Sequence, residues 1–223
     1  IEFQKNETIT LIVRTKTTSS MQVPIELWIP EKLHHADKET LLAQGIYYGI
    51  MFIMMVYNLF IFMAVRGPSY LFYVFYVGSM AGFQAALSGT GYQFLWPHSP
   101  WLQDILIAAF IPLITAAASL FTIYILQTKE RNPRLHPYLR AIVSLATVLI
   151  ISALFVPYAL LIKLNLICGA FAIALVFSLG VINWKNGFDV AKYFTLAWLT
   201  LLTGVALMIL NKVGFLPRNA ITE

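Results

Sequence analysis

Charged residues are scarce in this sequence: Asp, Glu, Lys and Arg make up 11% of its 223 residues. Soluble globular domains carry about 25% charged residues and about 45–50% apolar residues. Here hydrophobic residues reach 59%, and the mean hydropathy is +0.75. This composition excludes an ordinary soluble domain and indicates an integral membrane protein. The net charge of +5 comes from short loops between apolar runs, where basic residues set membrane orientation and are not a nucleic-acid signature.

Cysteine, metal-spaced histidine and ionisable residues inside the apolar runs are also lacking. The single cysteine, Cys168, excludes an internal disulfide, and its position in an apolar run is typical of a buried thiol. The four histidines lack metal-ligand spacing. Zinc-peptidase, paired-aspartate and serine-hydrolase motifs are absent, so we predict no enzymatic activity, cofactor or metal site. No charged residue lies in the middle of an apolar run, which disfavours ion-coupled transport.

What the sequence does contain is long uncharged runs, the first at residues 41–65. A membrane-spanning helix needs about 20 apolar residues to cross about 30 Å of hydrocarbon. Spacings of 4, 3, 4 and 3 place one set of side chains on a single face of this helix. That seam consists of Gln44, Tyr48, Met51, Met55 and Asn58. Because it carries an amide at each end, we predict that it faces protein and not lipid.

The apolar runs predict an all-α polytopic transmembrane helical bundle preceded by a short β segment. Six spans are expected, at residues 41–65, 69–87, 105–126, 139–156, 160–182 and 193–210. Upstream, two stretches of alternating apolar residues predict strands. Two strands cannot bury a core alone, so we interpret residues 1–38 as the last strands of a larger extracellular β-sandwich domain and a charged linker. Residues 39–223 form the predicted transmembrane domain.

Small and polar residues in the first two spans are the candidates for helix packing and hydrogen bonding. Two ladders of small residues, Gly45 with Gly49 and Gly78 with Gly82, would let helices approach closely. An unpaired amide in hydrocarbon costs several kcal/mol. We therefore hypothesise that Asn58 hydrogen-bonds a tyrosine of the second span, and packing without a signalling role is the alternative. The remaining candidates are Tyr73, Tyr76 and Gln84.

The loop after the second span is rich in aromatic residues and contains no Lys or Arg. Its candidates for coupling to an outer domain are Tyr92, Trp96 and Trp101. The alternative is an aromatic belt at the membrane interface. Seven basic residues lie on the opposite side of the predicted bundle, against three on this side. The basic side is therefore expected to be cytoplasmic, which places the β segment and this loop outside.

Several motifs occur in the order and spacing of a known family. They are GIYYG at 45–49, YNL at 57–59, a tyrosine-rich run at 70–76, GTGYQFLWP at 89–97, GFDVAKYFTLAW at 187–198 and GFLPRN at 214–219. Together they resemble the bacterial seven-transmembrane receptors with diverse intracellular signalling modules (7TMR-DISM). SSMQVPIELW at 19–28 is similar to the end of that family's extracellular β domain. The family has seven spans and a cytoplasmic effector, so the resemblance implies either that both follow this segment or that this protein lacks such an output.

The resemblance implies the sensor region of a bacterial signalling receptor in the inner membrane. Such a region relays an extracellular small-molecule signal, for example a carbohydrate, to a cytoplasmic effector that could itself be an enzyme. Its expected partners are the lipid bilayer, a ligand bound by the β domain and the effector module, with a homodimer as one option and no nucleic acid. One alternative is a small-solute transporter, which would need a polar midplane site. Another is an assembly anchor without a ligand.

Overall fold

A computed structural model describes the backbone of residues 30–212 and the side chains of residues 31–204. Within these ranges the secondary structure is helical, without strands. The helices are α1 (Pro30–Val65), α2 (Pro68–Leu87), α3 (Thr90–Phe94), α4 (Pro100–Ile125), α5 (Thr128–Arg131), α6 (His136–Ser152), α7 (Tyr158–Lys185) and α8 (Asp189–Lys212). The two predicted strands and the GFLPRN motif lie outside the described residues.

The six long helices occupy the positions of the six predicted spans. Four of them, α1, α2, α4 and α7, are long and apolar enough to cross a membrane. A further long helix, α6, has 17 residues, which is the lower limit for a span. The prediction of an all-α membrane bundle is confirmed. We call the end of the bundle that carries α3 the α3 end, and the opposite end, which carries α5, the α5 end.

The first helix is longer than a membrane crossing requires. Its 36 residues extend over roughly 54 Å at 1.5 Å per residue. The charged segment before residue 41, which we interpreted as a linker, is helical from Pro30 onward and continuous with the span. α1 therefore projects beyond the hydrocarbon at the α3 end. It packs mainly against α2.

The bundle is built around α4, which packs against α2, α6 and α7. Small residues dominate the buried positions of this helix, so neighbouring backbones can approach it closely. These positions are Ala108, Pro112, Thr115, Ala116, Ala117, Ala118, Ser119 and Thr122. α1 packs against α2, and α8 packs against α7. A movement of α4 would therefore be felt by three neighbouring helices.

A proline in α4 and an asparagine in α7 tie these two helices together. Pro112 is buried inside α4, and it has no N–H to donate to the carbonyl four residues earlier. That carbonyl belongs to Ala108, and Asn165 of α7 donates its Nδ2 to it at 2.8 Å. Asn165 is 1% exposed. The amide of α7 thus replaces the hydrogen bond that the proline removes and sets the register of the two helices.

Two apolar cores hold the bundle together, and the tie lies within the first of them. The core at the α3 end contains Ala108, Leu149, Ala153, Leu161 and Cys168, and so joins α4, α6 and α7. The core at the α5 end joins α4, α6, α7 and α8. Its buried members are Leu126, Leu139, Val176, Leu179, Ala191 and Phe194. As expected, the thiol of Cys168 is free and buried.

Candidate functional site

Polar side chains at the α3 end connect α1 to the short helix α3. The hydroxyl of Thr90 donates to Gln44 Oε1 at 2.8 Å. Ser88 Oγ lies 2.7 Å from Thr90 Oγ1. Because the Thr90 hydroxyl hydrogen is already donated to Gln44, Ser88 is the donor in this pair. The first amide of the predicted seam is therefore paired with protein, in the loop that follows α2.

Trp96 closes the same loop onto the start of α4. Its Nε1 donates to Gln103 Oε1 at 2.7 Å, and Gln103 Nε2 donates in turn to the Ala86 carbonyl at the end of α2. The indole ring lies directly against Gly91, where an added Cβ would overlap it. Gly89 starts the turn with a φ of +75°, a conformation that glycine adopts without cost. These contacts join α2, α3 and α4 in one cluster, which we call the α3 cluster.

The other two aromatic candidates of this loop lie on the surface. The side chain of Tyr92 is 38% exposed and that of Trp101 is 63% exposed. Trp96 alone of the three has a hydrogen bond between side chains in the described part of the chain. The loop thus presents two exposed aromatic side chains and anchors itself through the third.

The hypothesis that Asn58 bonds a tyrosine of the second span is wrong. Asn58 Nδ2 instead donates to the Met54 carbonyl of its own helix at 2.9 Å. That acceptor lies one turn away on the same rigid helix, so reaching it requires no inter-helix alignment. Tyr73 and Tyr76 line a cleft between α2, α4 and α8.

An aromatic row crosses that cleft. The rings of Tyr73 and Phe121 have centroids 5.5 Å apart, and the rings of Phe121 and Phe194 are 6.1 Å apart. Phe194 is a further 6.1 Å from Trp198. The cleft has a volume of about 380 Å³. Since such ring pairs favour particular geometries, the row links the positions of α2, α4 and α8.

The four predicted packing glycines divide into two pairs. A Cβ at Gly82 would lie 2.5 Å from Phe110 Cζ, and one at Gly78 would lie 3.3 Å from Met55 Sδ. These two glycines sit where α2 meets α4 and α1. Nothing in the described residues lies within 4 Å of a Cβ at Gly45 or Gly49, so no described helix packs closely on that pair. The side chain of Gln84 is exposed.

A second polar cluster, the α5 cluster, joins the loops at the α5 end. Asn132 Nδ2 donates to Asn183 Oδ1 at 2.9 Å, which connects the loop after α4 to the end of α7. Asn183 is 1% exposed, and its own Nδ2 donates to Leu179 O at 2.8 Å. The guanidinium carbon of Arg131 lies 3.9 Å from the centroid of the Phe188 ring.

The loop between α4 and α6, residues 126–135, contains α5, and we call it the α5 loop. Its own contacts hold it in place. Thr128 is fully buried, and its hydroxyl lies 3.0 Å from His136 Nδ1. Gln127 takes a left-handed backbone with φ of +49° and reverses the chain direction directly after α4. The predicted basic loop is therefore a compact element that is hydrogen-bonded to α6 and α7 and packs on Phe188, the residue before α8.

Sequence reasoning missed two amides of α7. Asn165 places an amide in the fifth predicted apolar run, the same signal that directed attention to Asn58, whereas Asn183 follows that run and carried no such signal. Pro112 offered a second signal, because a proline inside a helix always frees one carbonyl. Thr90, Asn132 and the other loop partners carried no such signal, since polar residues are ordinary in loops.

Structurally, this is a multi-pass helical membrane protein with polar loop clusters at both ends of a central helix. In the described part of the chain no group of three His, Cys, Asp or Glu could hold a metal ion. Residues 40–223 match the family described as 7TM diverse intracellular signalling. The chain belongs to this family, and it is a transmembrane region of a signalling receptor. No curated protein and no solved structure matches it.

Proposed function

We propose that this region relays an extracellular small-molecule signal, for example a carbohydrate bound by an outer β domain, to a cytoplasmic effector. The observation that carries the proposal is the position of α4. At its first turn Gln103 bonds Trp96 of the outer loop at 2.7 Å. After its last turn the chain enters the α5 loop, where Asn132 bonds Asn183. A displacement of the α3 cluster would therefore pass along one rigid helix to the opposite face.

The exposed aromatic side chains of the outer loop are the proposed contact for the β domain. Tyr92 and Trp101 present apolar surface with polar tips, the kind of side chain that is enriched at protein interfaces. Contact at these rings would bear on Trp96, which is held between Gly91 and Gln103. A relay of this kind requires two packings of the bundle that differ in their affinity for the ligand-bound domain.

The orientation is part of the proposal. The basic side chains of the α5 loop and of α6, among them Lys129, Arg131 and Arg140, would lie in the cytoplasm. The α3 end and the N-terminal segment would then face the periplasm of a bacterial inner membrane. In this proposal the transmembrane region acts by helix repacking and not by catalysis, and any enzymatic activity belongs to the effector.

The relay can be tested without knowing the ligand. Spin labels at Arg134→Cys and Lys185→Cys, both exposed positions at the α5 end, report the distance between the two loops in a Cys168→Ala background. Trp96→Phe keeps an aromatic ring but removes the indole donor to Gln103. Since a hydrogen bond contributes about 0.5–1.5 kcal/mol, the Trp96→Phe substitution should change the population ratio of the two loop arrangements roughly two- to tenfold.

Phe94→Leu is the control, because Phe94 is an exposed aromatic side chain of the short helix α3 and is not part of the proposed contact. The expected result is an altered distance distribution for Trp96→Phe and an unchanged one for Phe94→Leu. A distribution for Trp96→Phe that superimposes on that of the parent protein would contradict the relay. The measurement is made on purified protein in lipid nanodiscs.

A further inference from the structure

A cavity of about 600 Å³ opens at the α5 end, between α4, α6 and the loop that joins them. This volume is within the range of small-molecule sites, about 300–1,000 Å³. Its charged and polar lining comes from the α5 loop and the start of α6. Its apolar lining comes from the last turns of α4 and from the second turn of α6. The complete lining is Leu120, Ile123, Tyr124, Gln127, Lys129, Glu130, His136, Arg140, Val143 and Ser144.

The lining is graded along the helix axes. Leu120 precedes Gln127 by seven residues in the chain, which corresponds to roughly 10 Å along a helix at 1.5 Å per residue. The apolar residues therefore lie toward the bilayer centre, and the basic residues lie toward the headgroup level. A cavity with this gradient matches an amphiphile whose polar end is at the membrane surface.

The charge of the cavity lining indicates which polar end a bound amphiphile would have. Lys129 and Arg140 are exposed cations on the cavity wall, Glu130 is the single carboxylate there, and the lining is net positive. No ion pair within the described part of the chain occupies either cation. Arginine and lysine bind phosphate through charge-assisted hydrogen bonds.

The backbone that presents these charges is held in place before any ligand arrives. Thr128, next to Lys129, is fully buried and bonds His136 Nδ1 at 3.0 Å. The backbone carbonyl of Gln127 accepts from the N–H groups of Glu130 and Arg131 at 3.0 Å. Preorganisation of this kind lowers the entropic cost of binding. It distinguishes the cavity from a flexible basic loop that merely touches the membrane surface.

We propose that this cavity is a binding site for an anionic glycerophospholipid. The lipid phosphate lies between Lys129 and Arg140, and an acyl chain follows Leu120, Ile123 and Val143. Phosphate from a free metabolite would share the headgroup chemistry, but it would leave the apolar wall empty. The proposal does not depend on the signalling role.

The test uses the purified protein in dodecyl maltoside micelles and measures lipid dissociation constants by native mass spectrometry. The probes are dioctanoyl phosphatidylglycerol, dioctanoyl phosphatidylcholine and glycerol phosphate. Lys129→Gln with Arg140→Gln should weaken phosphatidylglycerol binding roughly 25-fold, about fivefold for each basic side chain near the anionic lipid. Both side chains are exposed, and an unchanged melting temperature without lipid verifies that the variant folds.

Two further variants sharpen the result. Arg134→Gln removes a basic side chain of the same loop that does not line the cavity, and it should change the dissociation constant less than twofold. Glu130→Gln removes a negative charge that repels the anionic headgroup, so it should tighten phosphatidylglycerol binding. The proposal is overturned if Arg134→Gln weakens phosphatidylglycerol binding as much as the double variant does, or if Glu130→Gln weakens it. It is also overturned if the unsubstituted protein binds phosphatidylcholine or glycerol phosphate as tightly as phosphatidylglycerol.

Discussion

Replacing Asn165 with leucine removes the donor that reaches the carbonyl freed by Pro112. Asn165 Nδ2 lies 2.8 Å from Ala108 O, and the side chain is 1% exposed, so neither water nor lipid headgroups can substitute. A buried acceptor left unpaired costs about 1–3 kcal/mol, while hydrogen bonds in membranes contribute about 0.6–2 kcal/mol. Asn165 Oδ1 is itself buried without a partner among the described residues, and leucine relieves that cost. We therefore expect Asn165→Leu to lower the free energy of unfolding by about 1–2 kcal/mol.

A double-mutant cycle identifies the cause. In Pro112→Ala the new backbone N–H can donate to the Ala108 carbonyl, so Asn165→Leu should cost about 1 kcal/mol less in that background. The assay is reversible unfolding in dodecyl maltoside micelles titrated with sodium dodecyl sulfate. Ser178→Leu is the control on the same helix, since its hydroxyl bonds only its own helix and is exposed. Equal costs of Asn165→Leu in both backgrounds would refute the explanation and assign the effect to packing alone.

Three other substitutions test individual contacts. Gly82→Leu should lower the free energy of unfolding by about 1–3 kcal/mol, because the new side chain would overpack against Phe110. Gly45→Leu places the same side chain in open space and should change the free energy of unfolding by less than about 0.5 kcal/mol. Similar losses in the two variants would contradict the packing described. Gln103→Leu removes both bonds that join α3, α2 and α4, so amide hydrogen exchange in α3 should accelerate, and unchanged rates would dispute its role. Asn183→Leu leaves the α5 loop without its acceptor and should speed tryptic cleavage there; parent-level cleavage would contradict the α5 cluster.

The positions of the helices were predictable from sequence because the bilayer sets a length scale. An uncharged run of about 20 residues has few alternatives to a spanning helix. The seam on the first span was also readable: Gln44, Tyr48 and Met55 are half-buried, while most side chains of α1 are exposed. Periodicity is a local property, and so one sequence suffices to detect it.

Which helices meet, and through which face, was not predictable. Tyr76 precedes Gly78 by two residues, which is about 200° around a helix. Gly78 meets Met55 of α1, whereas Tyr76 lines the cleft between α2, α4 and α8, and depth alone could not reveal this. In the same way, the partner of Asn165 could be named only once α4 was known to lie beside α7.

Loop geometry was the least predictable part. Gln127 adopts a positive φ that its residue type does not announce, since this region favours glycine. The turn it creates buries Thr128 against His136, and Gln127 itself lines the cavity at the α5 end. The charge of this loop was evident from the sequence, whereas its compact structure depends on long-range contacts such as that between Asn132 and Asn183.

The account depends most on the α3 cluster and the α5 cluster lying on opposite sides of the membrane. Single cysteines at His98 and Arg134, both exposed positions, can be placed in a Cys168→Ala background and probed with a membrane-impermeant maleimide. In intact spheroplasts we expect labelling at position 98 and, at position 134, labelling only after lysis. Labelling of both positions before lysis, or of position 134 alone, would contradict the account.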